Sequence, residues 1–570
     1  MNSSLVVTSP VVLVAIVALL TTGASSAQHL RQESKPHHKH YREPVADKPA
    51  PSGAVAPRLQ NLGRHTFPVS CASERGQQFI NQGINLAYAF NHAEAGRSFR
   101  EAARLDPKCA MAYWGQALVL GPNINVPMDQ ENEPRAYELV QQAVSLQGGL
   151  NDRERALIGA LSKRYSGDPT DRAKGDSDYA SAMAEVTRQF PDDLDIATFY
   201  AESMMDLRPW NYWMRDGTPY EGTEDIVGLL ESVMERNPKH PGALHLYIHL
   251  IEPTNQPQRA EKAADALSGL MPGAGHIVHM PAHIYQRVGR YEDSAKTNER
   301  AIAADEDYIS QCRAQGIYPM AYYPHNIHFL WFATTAQGRS EAAIDAANKT
   351  AAQISDEALA EMPLLAGFRV VPYWALARFG KWDEVLALPE PPKDLFLTGA
   401  WHYVRGLAQV GKGNLDAAQK ELEQVQKIAA DKGMDYTMFS PNSAAAVLAI
   451  APEVLAGEIA AARGEFDAAV GHLERAVRLE EGLVYTEPTE WHYPPRLALG
   501  AVLLEAGRAG EAETVYWQNL NRYPDNGWAL YGLAEALRKQ RKHDEAELIG
   551  ARFKKAWRNA DVKLKASRIR

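Results

Sequence analysis

From about residue 75 onward the chain repeats itself, and this recurrence limits the possible folds more than any other feature. A pair of short apolar-periodic segments returns about every 34 residues and ends at an Asp-Pro or Asn-Pro-like stop. The clearest units run through Phe99–Pro107, Ile284–Ala301 and Gly500–Pro524, with others through Gly406 and Gly413, Gly457 and Gly464, and Ala534 and Ala546. Small residues recur where two helices must approach closely, with an aromatic residue or leucine filling the gap between them. One such pair cannot bury its own apolar face, so pairs must stack on their neighbours and the core grows in one dimension. A chain of 570 residues is too long for one compact core, and 45% hydrophobic with 23% charged residues excludes disorder over most of it.

The units resemble the tetratricopeptide repeat superfamily over most of residues 75–550. The resemblance implies an all-α helix-turn-helix solenoid from residue 66 to 570, with loops inserted near 121–134, 209–224 and 386–398. It implies no activity, because a repeat scaffold takes its function from whatever decorates its concave face. In this superfamily the first helix of each repeat lines the groove, and repeat positions 2, 5, 9, 12 and 13 point into it. Pro191, Pro238 and Pro272 set the register, which the turn glycines Gly289 and Gly338 check. On that register Glu202 and Asp206 fall at positions 9 and 13 of one repeat. His245, His249 and Glu252 fall at 5, 9 and 12 of the next; His276, His279 and His283 at 2, 5 and 9 of the third; His325 and His328 at 2 and 5 of the fourth.

Seven of the 18 histidines thus face the groove from three consecutive repeats. Residues three or four apart share a helical face, so each string projects as a group. Neighbouring helices about 8–10 Å apart would let imidazoles share an ion. Unpaired buried imidazoles cost free energy, so they need coordination or tight hydrogen bonds to the carboxylates Glu202, Asp206 and Glu252. Two readings stand. In one, His245, His249, His276, His279, His283, His325, His328, Glu202, Asp206 and Glu252 form a site for a divalent transition metal, whether zinc, copper, iron or manganese. A catalytic version would use Glu252 or Glu202 as base. In the other, the groove is metal-free and binds an extended peptide or protein partner. The union of repeats and histidine strings resembles a group of exported bacterial tetratricopeptide proteins with histidine-rich groove motifs, which implies no particular chemistry. Pro281, inside the third string, suits a first helical turn and sets the expected helix start near Val278–Met280.

Residues 1–27 read as a signal peptide, with an apolar run Val11–Leu20 and the small residues Ser25, Ser26 and Ala27 before Gln28; a periplasmic or secreted product is expected. No later segment looks long enough to span a membrane. Residues 28–65, rich in Pro, Lys and His, read as a disordered linker in which His37, His38 and His40 cluster. A net charge of −10 gives no general attraction to nucleic acid. The last 20 residues hold eight Lys or Arg and read as a basic capping helix. With three cysteines the chain is no disulfide scaffold, although a Cys71–Cys109 bridge is conceivable. His92 and Glu94 read as structural, His402 as core, the cluster Glu490–His492 as a closure of one groove end, and Trp210, Trp213, Trp331, Trp374 and Trp382 as packing. The Gly-x-x-x-x-Gly-Lys string ending at Lys412 lacks the following Ser or Thr of a phosphate loop.

Overall fold

A computed structural model describes residues 53–312, 318–438 and 442–570. Among these the fold is all-α, with isolated bridges such as Asn123 to Val126 and no strand. Helices pair with their sequence neighbours in tetratricopeptide-type hairpins: Glu74–Tyr88 with His92–Leu105, Leu395–Gly411 with Leu415–Ala429, Ile450–Ala462 with Phe466–Gly482, and Gly527–Lys539 with His543–Ala556. The turn glycines Gly289 and Gly338 adopt φ of 81° and 70°, two residues before the second helix of their pairs, where a side chain would be strained. The repeat length is uneven. Helix-free segments separate Leu118 from Gln130, Asp206 from Thr223 and Leu386 from Leu395.

Two apolar cores divide the array, one built on residues from Ala56 to Tyr322 and the other from Ile302 to Ile549. The array then curls onto itself. The Trp528 indole N–H donates to the Thr335 carbonyl at 2.9 Å, and Asp561 caps the helix Ser340–Ala351 by accepting from the Ser340 and Glu341 N–H groups. The loop after Gly482 also reaches back to the first half, where the Tyr485 hydroxyl donates to Glu252 at 2.8 Å.

Three expectations need revision. The basic tail is not a helix: helix ends at Ala556, and the residues beyond thread back, with Ser567 and Arg568 buried and Arg568 paired to Glu505 at 2.8 Å. Val562, Leu564 and Ile569 pack half-buried against the second core, which the charge of the tail does not suggest. Residues 1–52, including the signal segment and the His37–His40 tract, lie outside the described residues, but Val55–His65 is packed and not linker-like. Ala56, Leu59 and Leu62 are buried, and the Leu59 N–H donates to Gln82 Oε1 at 2.9 Å; the polar composition masked three regularly spaced apolar side chains. Finally, Ala444–Ala462 has the length and hydropathy of a membrane span, a segment the sequence reading passed over, but 67% of that window is buried inside the protein. Cys71 and Cys109 are paired, with Cα atoms 4.9 Å apart.

Candidate metal centre

The helix Pro241–Ile251 is buried along its whole length and carries His245 and His249 one turn apart. The next histidine string spans two helical segments, Gly275–His279 and Pro281–Arg287. Proline has no N–H to continue the ladder, so the run divides into two segments at Met280, and Pro281 opens the second segment instead of the helix as a whole. The helix therefore begins at Gly275, upstream of the expected start. Gly275 is required there, because a Cβ would collide with the buried Asp305 carboxylate. Asp305 accepts from the Tyr318 hydroxyl and the Asn326 side-chain amide, and Tyr318 in turn accepts from the His276 N–H, so one carboxylate sets two helix starts. A π-helical turn, Tyr318–Tyr322, leads into Tyr323–Ala336, which supplies His325 and His328.

The hydrogen bonds fix the tautomers. His249 Nδ1 lies 2.9 Å from Glu252 Oε1, and His283 Nδ1 lies 2.8 Å from Glu252 Oε2. Burial alone would raise the Glu252 pKa, but the charge of His283 and the hydrogen bonds from His249 and His283 hold it well below the usual carboxylate range. An ionised carboxylate only accepts, so each Nδ1 carries a proton, and in the neutral ring each Nε2 is then left with a lone pair. His279 Nδ1 donates to Asn298 Oδ1 at 2.6 Å; the Asn298 amide is itself oriented by donating to the Ser294 carbonyl at 2.8 Å. His245 Nδ1 donates to the Tyr88 carbonyl at 2.7 Å, one of the carbonyls left over at the end of helix Glu74–Tyr88. In all four imidazoles Nδ1 is thus engaged, which leaves Nε2 as the nitrogen available to a ligand. The Nε2 atoms of His245 and His249, and both nitrogens of His276, have no hydrogen-bond partner. Each orphan costs about 1–3 kcal/mol unless something fills it.

The sharpest feature is that His279 Nε2 and His283 Nε2 face each other at 2.7 Å. With both Nδ1 positions protonated and both rings neutral, two lone pairs oppose and no hydrogen bond joins them. A cation between them resolves the conflict. Burial, followed by the neighbouring His283, pushes the His279 pKa well below 6.5, so His279 itself does not supply that cation. Opening the pair by about half an ångström would admit an ion at about 2.0–2.1 Å from each nitrogen.

Ligand atoms converge within 4.8 Å in two all-histidine sets, His245 with His249 and His276, and His279 with His283 and His325. A third set joins His249, Glu252, His283 and Glu487. In that set Glu252 already spends both oxygens on the Nδ1 atoms and also accepts from the Tyr485 hydroxyl at 2.8 Å. Its position is behind the ligands, orienting them, as carboxylates behind metal-binding histidines do. Arg287 holds the Glu252 turn by donating to its carbonyl at 3.1 Å.

The remaining candidates fall elsewhere. Asp206 is bonded to Arg164 at 2.8 Å, and Glu202 beside it has its pKa raised by burial and by the Asp206 charge; neither joins a histidine set. His328 stacks on Trp331 at 5.2 Å, belongs to no ligand set, and has its pKa pushed down to about 3 by burial. His402 pairs with Glu421 at 2.6 Å, and buried His492 stacks on Trp374 at 4.6 Å. His92 is pushed down to about 4 by burial and the Arg164 charge.

Sequence reasoning missed Tyr485 and Glu487, whose loop joins the site only through the curl of the array. Burial and the nearby Glu252 charge push the Glu487 pKa up. It also missed Phe90. Phe90 takes φ of 55° at the turn position where later pairs place glycine, two residues before a second helix, and its ring lies 4.3 Å from His245. A bulky side chain in the left-handed region costs about 1–3 kcal/mol, which the packing of its ring against the histidines offsets. A phenylalanine in glycine's place was the available signal.

His249, His276, His283, His325, His328 and Glu487 all line a cavity of about 1740 Å³, and His245 and His279 sit behind its wall. Trp210, Trp213, Trp331 and Trp374 also border it, and Trp210 lies edge-on to His249 at 5.0 Å.

No protein-family model and no curated protein matches the chain. Among solved structures it is similar to the Cut9–Hcn1 hetero-tetramer of APC/C, at 12% identity and a TM-score of 0.27, over 84% of this chain and 76% of that one. It is similar also to the human IFIT1 dimer with PPP-AAAA and with m7Gppp-AAAA, each at 13% identity and a TM-score of 0.32, over 86% of this chain and 92% and 91% of those. Likenesses this distant carry no functional argument, and the repeat architecture rests on the helix pairing described above.

Proposed function

We propose that the protein is a metal-binding tetratricopeptide-type scaffold whose histidine centre acts on a ligand entering the adjoining cavity. The opposed lone pairs of His279 and His283 carry this reading. A bound transition-metal ion would supply Lewis acidity toward that ligand. The chain's own residues then have distinct tasks: Glu252 and Asn298 hold the imidazoles in the binding tautomer, Phe90 and Trp210 exclude water from their flanks, and Glu487 is the carboxyl positioned to move a proton on the cavity side. With Glu252 behind the ligands, an imidazole set suits zinc, copper or iron better than manganese. The cavity favours chemistry over storage, because four of the six histidines border it.

X-ray absorption at the metal edge of protein isolated without an affinity tag tests this. A first shell of imidazole nitrogens supports it; a shell dominated by sulfur or carboxylate oxygen contradicts it, and absence of metal leaves the peptide-groove reading in its place. The reading includes export, with which the Cys71–Cys109 pairing is consistent because disulfides persist in oxidising compartments. Sequencing of the mature N-terminus should give Gln28 or a near neighbour.

A further inference from the structure

We infer that the centre holds two ions, each in its own three-histidine set, with Glu252 tying the sets together from behind. This rests on the metal reading above and extends it. Six imidazoles exceed the four ligands of one tetrahedral ion, and they divide by the repeat itself. The first set takes His245 and His249 from positions 5 and 9 of one repeat and His276 from position 2 of the next. The second takes His279 and His283 from positions 5 and 9 of that next repeat and His325 from position 2 of the one after. The same half-site is thus written twice, one repeat apart, and the three nitrogens of each set converge within 4.8 Å.

The series stops on both sides for a visible reason. One repeat earlier, Gly242 stands at the position that would give the shared histidine, with the Tyr88 ring packed against it. One repeat later, His328 stands at position 5 but Phe332 replaces the histidine of position 9, so no third set forms. This accounts for His328 lying outside the ligand groups.

The two sets are neighbours. Across the boundary, the His249 and His283 rings are 5.4 Å apart and the His276 and His279 rings 6.0 Å apart. Glu252 accepts Nδ1–H from position 9 of both sets, one per oxygen. Each ion would keep a coordination position beyond its three imidazoles, and His249, His276, His283 and His325 border the cavity toward which those positions would face.

The probes are zinc for stoichiometry and copper(II) for proximity. Metal-stripped full chain is loaded with excess zinc, freed of unbound ion and assayed by elemental analysis. Two zinc ions per chain are expected, with one each in His245→Ala/His276→Ala and His279→Ala/His325→Ala. One ion in the unmodified chain, abolished by both double substitutions, would overturn the two-ion inference and leave a single centre. No ion in folded protein would instead remove the metal reading itself. Should a variant fail to fold by circular dichroism, the unmodified copper(II)-loaded chain still decides: a magnetically coupled pair in the electron paramagnetic resonance spectrum supports two sites, and an uncoupled single-spin signal of one copper per chain contradicts them.

Discussion

Two histidine–carboxylate clusters lie within the same core and use the same chemistry in opposite ways. At the first, His240 Nε2, His65 Nε2 and the Tyr88 hydroxyl all converge on Asp195 Oδ1, at 3.1, 2.9 and 2.7 Å. His240 Nδ1 accepts from the Ala243 N–H and so caps the helix Pro241–Ile251. The carboxylate occupies Nε2 of both imidazoles. At the second, Glu252 takes Nδ1 of both of its imidazoles and leaves each Nε2 clear of the carboxylate. Both clusters bring ligand atoms within 4.8 Å of one another, and they differ in which imidazole nitrogen meets the carboxylate, Nε2 at Asp195 and Nδ1 at Glu252.

The largest effect that separates them should come from Asp195→Ala. Removing a buried carboxylate that gathers three donors, near Arg153, leaves their polar atoms unpaired and should destabilise the fold by about 3–5 kcal/mol. Metal content of the fraction that remains folded should be unchanged. Denaturant unfolding with parallel elemental analysis checks both, and a loss of metal at full stability would dissolve the distinction.

Glu252→Gln should do the reverse. Losing an orienting carboxylate behind metal ligands typically lowers affinity about 10- to 100-fold. Competition against a chelator of known affinity measures this, and an unchanged affinity would mean that Glu252 does not set the tautomers.

Acid should separate the clusters by pH. Burial, first among the causes, holds His245, His276, His279 and His325 well below 6.5. Their neutral forms therefore contribute stability that is present above about pH 6.5, the unfolded value, and is lost as pH falls below it. Asp195 behaves differently: burial would raise its pKa, but hydrogen bonds from His240 and His65 hold it far below 3.8, so its contribution is lost only at lower pH. Unfolding of chelator-treated protein from pH 8 to about 1.5 should show the upper window first and the Asp195 window only below about pH 3.8. His245→Ala/His276→Ala should flatten the upper one alone; a single transition unaffected by that substitution would contradict the assignment.

His328→Ala should give the smallest effect, no change in metal stoichiometry and a modest loss of stability from its stack on Trp331. Loss of an ion would place His328 among the ligands after all.

The helical array and the histidine strings were legible because both are local patterns: turn residues at a fixed offset, and histidines three or four apart on one face. The register brought out both His325 and His328; of the two, His325 has a ligand atom within 4.8 Å of His279 and His283. Glu252 was named as a ligand or base, but its place behind the ligands depends on which imidazole nitrogen it meets, which spacing does not encode. Glu202 and Asp206 were drawn in by the same register; Asp206 pairs instead with Arg164, a partner choice set by packing. Tyr485 was out of reach for a different reason: its hydroxyl meets a carboxylate 233 residues away only because the array curls.

The central claim is that the opposed Nε2 atoms of His279 and His283 are held for a metal ion. Its most direct test is the metal content of untagged protein beside that of His279→Ala/His283→Ala, with folding of both checked by circular dichroism. The account predicts stoichiometric transition metal in the unmodified protein and a loss of at least half of it in the folded double variant. Metal-free unmodified protein, or a double variant that folds normally and retains the same metal, would contradict it.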